Sequence, residues 1–196
     1  MSDPFTVREN KGGDFDKVPC GAQHAIASKL YDLGWQPGYQ GGRPTHQIVV
    51  LFELCKRMTK GDFAGQRFRV TQQYNATLGS EDKPSKLRTH LVSWKGKEFT
   101  PEQVAGFDLR GILGKHCTLS LIETKKADGK TFAKIVGIMP RMQGTEDMKD
   151  EAPVDFIPEW VQKRQQQQLM APPTDEAHTS PAAGAPATDF EDDIPF

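Results

Sequence analysis

Two kinds of side chain recur together in this sequence, cations and flat aromatic rings. Arg67 and Arg69 stand two residues apart in QRFRVTQQYNATL, the spacing that puts both on one face of an extended strand. Lys56, Arg57 and Lys60 lie just before them. Trp35, Tyr39 and Arg43 fall in or beside the stretch QPGYQGGRPTH, and Lys125, Lys126 and Lys130 surround Asp128-Gly129. Such a set binds rather than breaks bonds. Ammonium and guanidinium groups neutralise phosphates, aromatic faces stack on bases, and neither contact reads sequence. Each member also has an ordinary structural role to weigh. Trp35 ends an apolar run and serves equally as a cap on a core. Tyr39 lies among glycines and prolines, where burial is hard, which favours stacking. Tyr74 fits either role. Arg67 and Arg69 also fit a merely solvated strand face.

Groups able to do catalysis are present but not assembled. Asp14 and Asp16 form a DxD pair on a glycine-rich arm without a partner. Glu53 stands near Cys55 with no histidine beside it to build a triad. The histidines (24, 46, 90, 116 and 178) show no ligand spacing. Cys20, Cys55 and Cys117 are far apart and form no CxxC pair, so neither a zinc site nor a disulfide framework is supported. GILGK at 111–115 is too short for a phosphate-binding GxxxxGK[ST] loop. The expectation is a non-enzyme with no catalytic residue, no cofactor and no metal.

The chain ends in Asp189, Phe190, Glu191, Asp192, Asp193, Ile194, Pro195 and Phe196. Four acids precede an apolar hook that carries the terminal carboxylate. Ile194 and Phe196 can fill an apolar pocket while a basic rim binds the carboxylates. A tail that only solubilises needs no terminal aromatic, so Asp189, Glu191, Asp192, Asp193, Ile194, Pro195 and Phe196 are read as partner-binding. The formal net charge of −1 hides a separation. Residues 1–144 hold 22 Lys/Arg against 14 Asp/Glu, a net +8, and residues 145–196 hold 3 against 12, a net −9. A basic body attracts polyanions, and an acidic end attracts basic surfaces.

The elements that must position these residues follow from pattern. The 196 residues suit one domain with a tail. No run of about 18 apolar residues occurs, and the first 17 residues hold no apolar leader. With the cysteine usage, this predicts a cytoplasmic protein. Residues 1–18 read as a flexible arm. Residues 21–35 alternate as one bent strand, although 22–33 also fits a helix. Residues 36–46 form an irregular connector. HQIVVLFEL at 46–54 is a strand, with Ile48, Val50, Phe52 and Leu54 on one face and Val49, Leu51 and Glu53 on the other. A basic turn at 56–65 leads to a third strand at 66–78. Asp82 as N-cap, with Pro84 soon after, opens a helix at 85–94. Thr100, Pro101 and Gln103 open a second through a capping box. Trp94 and Phe99 are read as core. Strands at 115–125 and 130–140 flank an Asp-Gly hairpin turn. Residues 143–188 read as a linker, disordered from Ala171 onward, with a short helix near 158–170 whose Trp160 anchors the tail.

Three strands, a helical insertion and a hairpin make the order of a five-stranded OB-fold barrel, mainly β, spanning 19–142. An SH3-like barrel is the alternative, but normally lacks the insertion. The terminal Asp-Asp-Ile-Pro-Phe after its linker resembles the tip of bacterial single-stranded-DNA-binding proteins. The body is more similar to phage-encoded single-stranded-DNA-binding proteins, through Phe52-Glu53-Leu54, Leu91-Val92-Ser93-Trp94 with Phe99-Thr100-Pro101-Glu102, Phe107-Asp108-Leu109 with Leu113-Gly114-Lys115, and Lys130-Thr131-Phe132-Ala133-Lys134-Ile135. The resemblance implies an OB fold, duty in replication or recombination, and recruitment of DNA-metabolism proteins by the tip at 189–196. Homo-oligomers are compatible with it, and a membrane partner is not expected. Competing readings are an OB-fold recombination mediator, annealing or primosomal accessory protein, and an RNA-binding OB module.

Overall fold

The computed structural model describes residues 16–38, 42–125, 129 and 131–168. Tyr39, Lys126, Lys130, most of the N-terminal arm and the tip at 189–196 lie outside the described residues.

Five strands carry the fold: β1 (Gly21–Gln36), β2 (Thr45–Arg57), β3 (Arg67–Asn75), β4 (His116–Lys125) and β5 (Thr131–Met139). Between β3 and β4 lie α1 (Lys86–Lys95), α2 (Pro101–Ala105) and a 3-10 turn at Leu109–Ile112. α3 (Glu159–Gln166) follows β5. All pairings are antiparallel, and the order is β3-β2-β1-β4-β5. The molecule is thus mainly β, an open five-stranded sheet with a few helices. The expected barrel is not closed by hydrogen bonds: among the described residues β3 and β5 are edges that do not pair with each other.

β1 is long enough to serve two neighbours. Its first half pairs with β4, from Gly21 opposite Leu121 to Ile26 opposite His116. From Ala25 onward it pairs with β2. A register shift between Ala27 and Lys29 changes which side chains face which side. Ala25 and Ala27 belong to the larger core, whereas Tyr31 and Leu33, which unbroken alternation would put on that same side, belong to a smaller one. This resolves the helix-or-strand ambiguity of 22–33 in favour of a strand with an inserted residue.

β2 is buried on both faces. Ile48, Val50, Phe52 and Leu54 pack in the larger core with Leu87, Leu91 and Trp94 of α1 and with Leu119, Leu121, Ile135 and Ile138 of the hairpin. α1 lies against both β5 and β3, so it covers that core where the two edges fail to pair. Its N-cap is Ser85, whose hydroxyl accepts from the Arg88 N–H, and not Asp82 as expected. Pro84 therefore precedes the helix rather than opening it. α2 has the expected capping box between Thr100 and Gln103. Trp94 and Phe99 are buried, and the Trp94 indole donates to the His116 carbonyl at 2.8 Å.

The other face of β2 is covered by the segment 146–168, here called the strap. Val49 and Leu51 pack with Tyr31, Leu33, Ala152 and Val161, with Phe156 beside them. The packed unit therefore runs past the boundary expected at 142, to α3. Gly34 has φ +65°, a conformation that favours glycine, and the Gln168 side chain lies where a β-carbon on it would point.

Candidate nucleic-acid interface

The strap decides the fate of the basic strand face. It leaves β4 where His116 Nε2 meets the Met148 backbone and crosses outward over β3 and β2. Arg67 donates to the Lys149 carbonyl at 3.0 Å and pairs with Glu151 at 3.0 Å, and its side chain is only 11% exposed. Arg57 grips Glu151 with both terminal nitrogens, at 2.8 and 2.6 Å. This Arg57 bond comes first among the causes that hold the Glu151 carboxyl below its ordinary range. Arg69 donates Nε to the fully buried Glu53 at 3.2 Å, and its guanidinium lies 4.6 Å from the Phe156 ring centroid. Glu53 in turn accepts the Glu151 N–H at 2.6 Å. Arg67 and Arg69 therefore stand on a covered strand face and not on the open basic face expected of them. A carboxylate and an aromatic ring of the chain itself already occupy it.

Lifting the strap is costly. Leu33, Val49, Leu51 and Val161 are essentially inaccessible to solvent, and fully burying each contributes roughly 1.5–3 kcal/mol. A stacked base returns only about 1–3 kcal/mol. The outer face of β1 and β2 is thus firmly covered in this structure.

The remaining expected residues scatter. Trp35 is half-buried, with its ring 5.7 Å from that of His46, which also meets Asp32 at 2.9 Å. Arg43, Lys56, Lys60 and Lys125 are exposed. The turn holding Lys60 is tied down by Asp16, whose carboxylate accepts from the backbone of Thr59 and Lys60 and from the Thr59 hydroxyl. These bonds, the Thr59 N–H first, keep the Asp16 carboxyl below its ordinary range. Of the two roles open to Tyr74, the structure places it in the core. It is 4% exposed, and its hydroxyl meets His90 Nδ1 at 2.8 Å inside the larger core.

Sequence reasoning missed the cleft between the two sheet edges. It has a volume of about 880 Å³ and is lined by residues 69–73 of β3, 131–135 of β5, Lys86 at the start of α1, and Trp160 of α3. Phe132 and Lys134 are two apart on β5, opposite Thr124 and Ile122 of β4, so they share a face. Phe132 is 40% and Trp160 37% exposed. The Lys86 ammonium titrates below its ordinary range, through burial first and then the neighbouring Lys134. The one signal in the sequence was the alternation Phe132-Ala133-Lys134. Its partners stand far away along the chain, and only the approach of β3 to β5 collects them.

Among the described residues no cluster of three or more His, Cys, Asp or Glu could hold a metal ion, and no helix is long and apolar enough to cross a membrane. No protein-family model matches the chain, and a search of curated proteins finds no match.

Proposed function

We propose that this protein is a non-enzymatic binder of single-stranded DNA that acts largely without sequence preference. Its duty lies in replication or recombination, in a phage-infected cell if the resemblance noted above holds. The observation that carries the reading is the connectivity. β1 is shared between β2 and β4, a helix is inserted between β3 and β4, and the free edges of β3 and β5 face each other across a cleft. This connectivity supports reading the open sheet as an OB-type barrel, a fold that binds oligonucleotides. The +8 balance of residues 1–144 supports a polyanionic ligand. The tip at 189–196 recruits partner proteins through its acids and its Ile-Pro-Phe hook.

The test is a fluorescence-anisotropy titration against single-stranded DNA, duplex DNA and RNA of equal length at two salt concentrations. Tighter binding to single-stranded DNA is expected, with the log-log salt slope steepening by about −0.7 per phosphate neutralised. Equal affinity for duplex, or a flat salt response, overturns the reading. Stronger binding to RNA replaces it with the RNA-binding alternative.

A further inference from the structure

Granted that the protein binds single strands, its open surfaces offer few routes. The outer face of β1 to β3 is closed by the strap, with Glu151 on Arg57 and Arg67 and Phe156 against Arg69. The cleft between the β3 and β5 edges remains open, and its charges are unbalanced. Its lining holds four cations, Lys17, Arg69, Lys86 and Lys134, and two carboxylates, Asp16 and Glu123. Lys17 is paired with Glu123 at 3.2 Å, and Arg69 with Glu53. Asp16 is held by the 59–60 backbone. The surplus positive charge therefore rests on Lys86 and Lys134, which among the described residues have no carboxylate partner and stand close enough to repel each other. A bridging anion relieves that repulsion. Two part-exposed rings, Phe132 and Trp160, reach the same cleft from different elements.

We propose that the single strand runs through the cleft between β3 and β5, with phosphates on Lys86 and Lys134 and bases stacked on Phe132 and Trp160, and not across the outer face of β1 to β3. Cations beside aromatic faces are what sequence-tolerant binding requires. The route needs neither Tyr74 nor Arg67, which are committed to the core and to the strap.

The experiment titrates a labelled oligothymidylate with wild type, Phe132→Ala, Trp160→Ala, Phe132→Tyr and the double variant Lys86→Gln/Lys134→Gln. Arg43→Gln and Lys56→Gln serve as exposed cations outside the cleft. Far-UV circular dichroism and thermal melting confirm that each variant folds. Each Ala variant is expected to bind about 5- to 150-fold more weakly, the range for one stacked base. Phe132→Tyr should bind like wild type. The double lysine variant should lower the magnitude of the log-log salt slope by about 1.4. Wild-type affinity in all the folded cleft variants, with the loss carried instead by Arg43→Gln or Lys56→Gln, overturns the route and leaves the cleft to another occupant such as an acidic peptide. If wild type itself does not bind the oligonucleotide, it is the single-strand reading that fails.

Discussion

Glu53 shows how much one residue can hold when it is wholly inside. Its two oxygens serve the Arg69 guanidinium on one side and the Glu151 N–H on the other, so a single carboxylate joins β2, β3 and the strap. Replacing it with alanine strands a largely buried arginine and a backbone donor. Glu53→Ala is expected to lose about 3–5 kcal/mol in urea unfolding. The exposed pair Lys17–Glu123 is the contrast, and Lys17→Ala should stay within about 1 kcal/mol of wild type. His90 sets a pH dependence. Burial first, and then the Lys86 ammonium, push the imidazole down to about 4 from its ordinary 6.5. Between those values the unfolded chain binds a proton that the folded chain refuses. Stability from this group is therefore complete above pH 6.5 and is lost as pH falls toward 4. Urea midpoints measured across that window should fall with acid, and His90→Gln should flatten the slope. An equally steep slope in the variant would show that His90 is not the titrating group.

The strap is where element-scale prediction is sharpest. Ending the chain after Gly144 uncovers Tyr31, Leu33, Val49 and Leu51, and that protein is expected to aggregate or melt far below wild type. Ending it after Gln168 keeps every described residue of both cores and should leave the melting temperature nearly unchanged. Similar melting of both truncations would mean that the strap does not stabilise the sheet. The need for such a cover was legible in part. HQIVVLFEL is apolar on both faces, and a continuous apolar run signals a strand buried on both sides. The cover itself was not legible. It contributes only Ala152 and Val161 to the buried set of the smaller core, with Phe156 partly buried against it, amid charged and proline-containing text that reads as linker. The strands, α2 and its capping box could be read because they depend on local period and local hydrogen bonds. The N-cap of α1 was misplaced by three residues because Asp82 and Ser85 are both good caps, and only the register of Leu87, Leu91 and Trp94 on the core selects between them.

Across the whole molecule the charge separation splits further. Of the 12 acids in residues 145–196, six lie at 145–168 in the packed strap or just before it, and six lie at 169–196. Strap acids such as Glu151 and Asp147 are committed to arginines of the body. The later six carry no such assignment and can compete with phosphates for the remaining cations. Deleting residues 189–196 removes four of them, so DNA affinity is expected to hold or rise while capture of partner proteins is lost. Phe196→Ala keeps every charge and removes only the ring. It should abolish capture and leave DNA affinity unchanged, as read by a pull-down beside a titration. Identical captured proteins with full-length, deleted and Phe196→Ala chains would reduce the tip to a solubility device.

The sharing of β1 between two partners also orders events in time. Its first residue, Gly21, lies opposite Leu121, about 100 residues later. Synthesis runs from the N-terminus at roughly 5–20 residues per second, so β1, β2 and β3 emerge seconds before the strand that flanks them, and the strap comes later still. During that interval the three-stranded meander carries two uncovered apolar faces and an unpaired edge on β1, a surface inviting to holdase chaperones and to other nascent copies. Closing so distant a pair late places refolding in the millisecond-to-second range rather than the microsecond range of helical bundles. Stopped-flow refolding of the intact chain should show this.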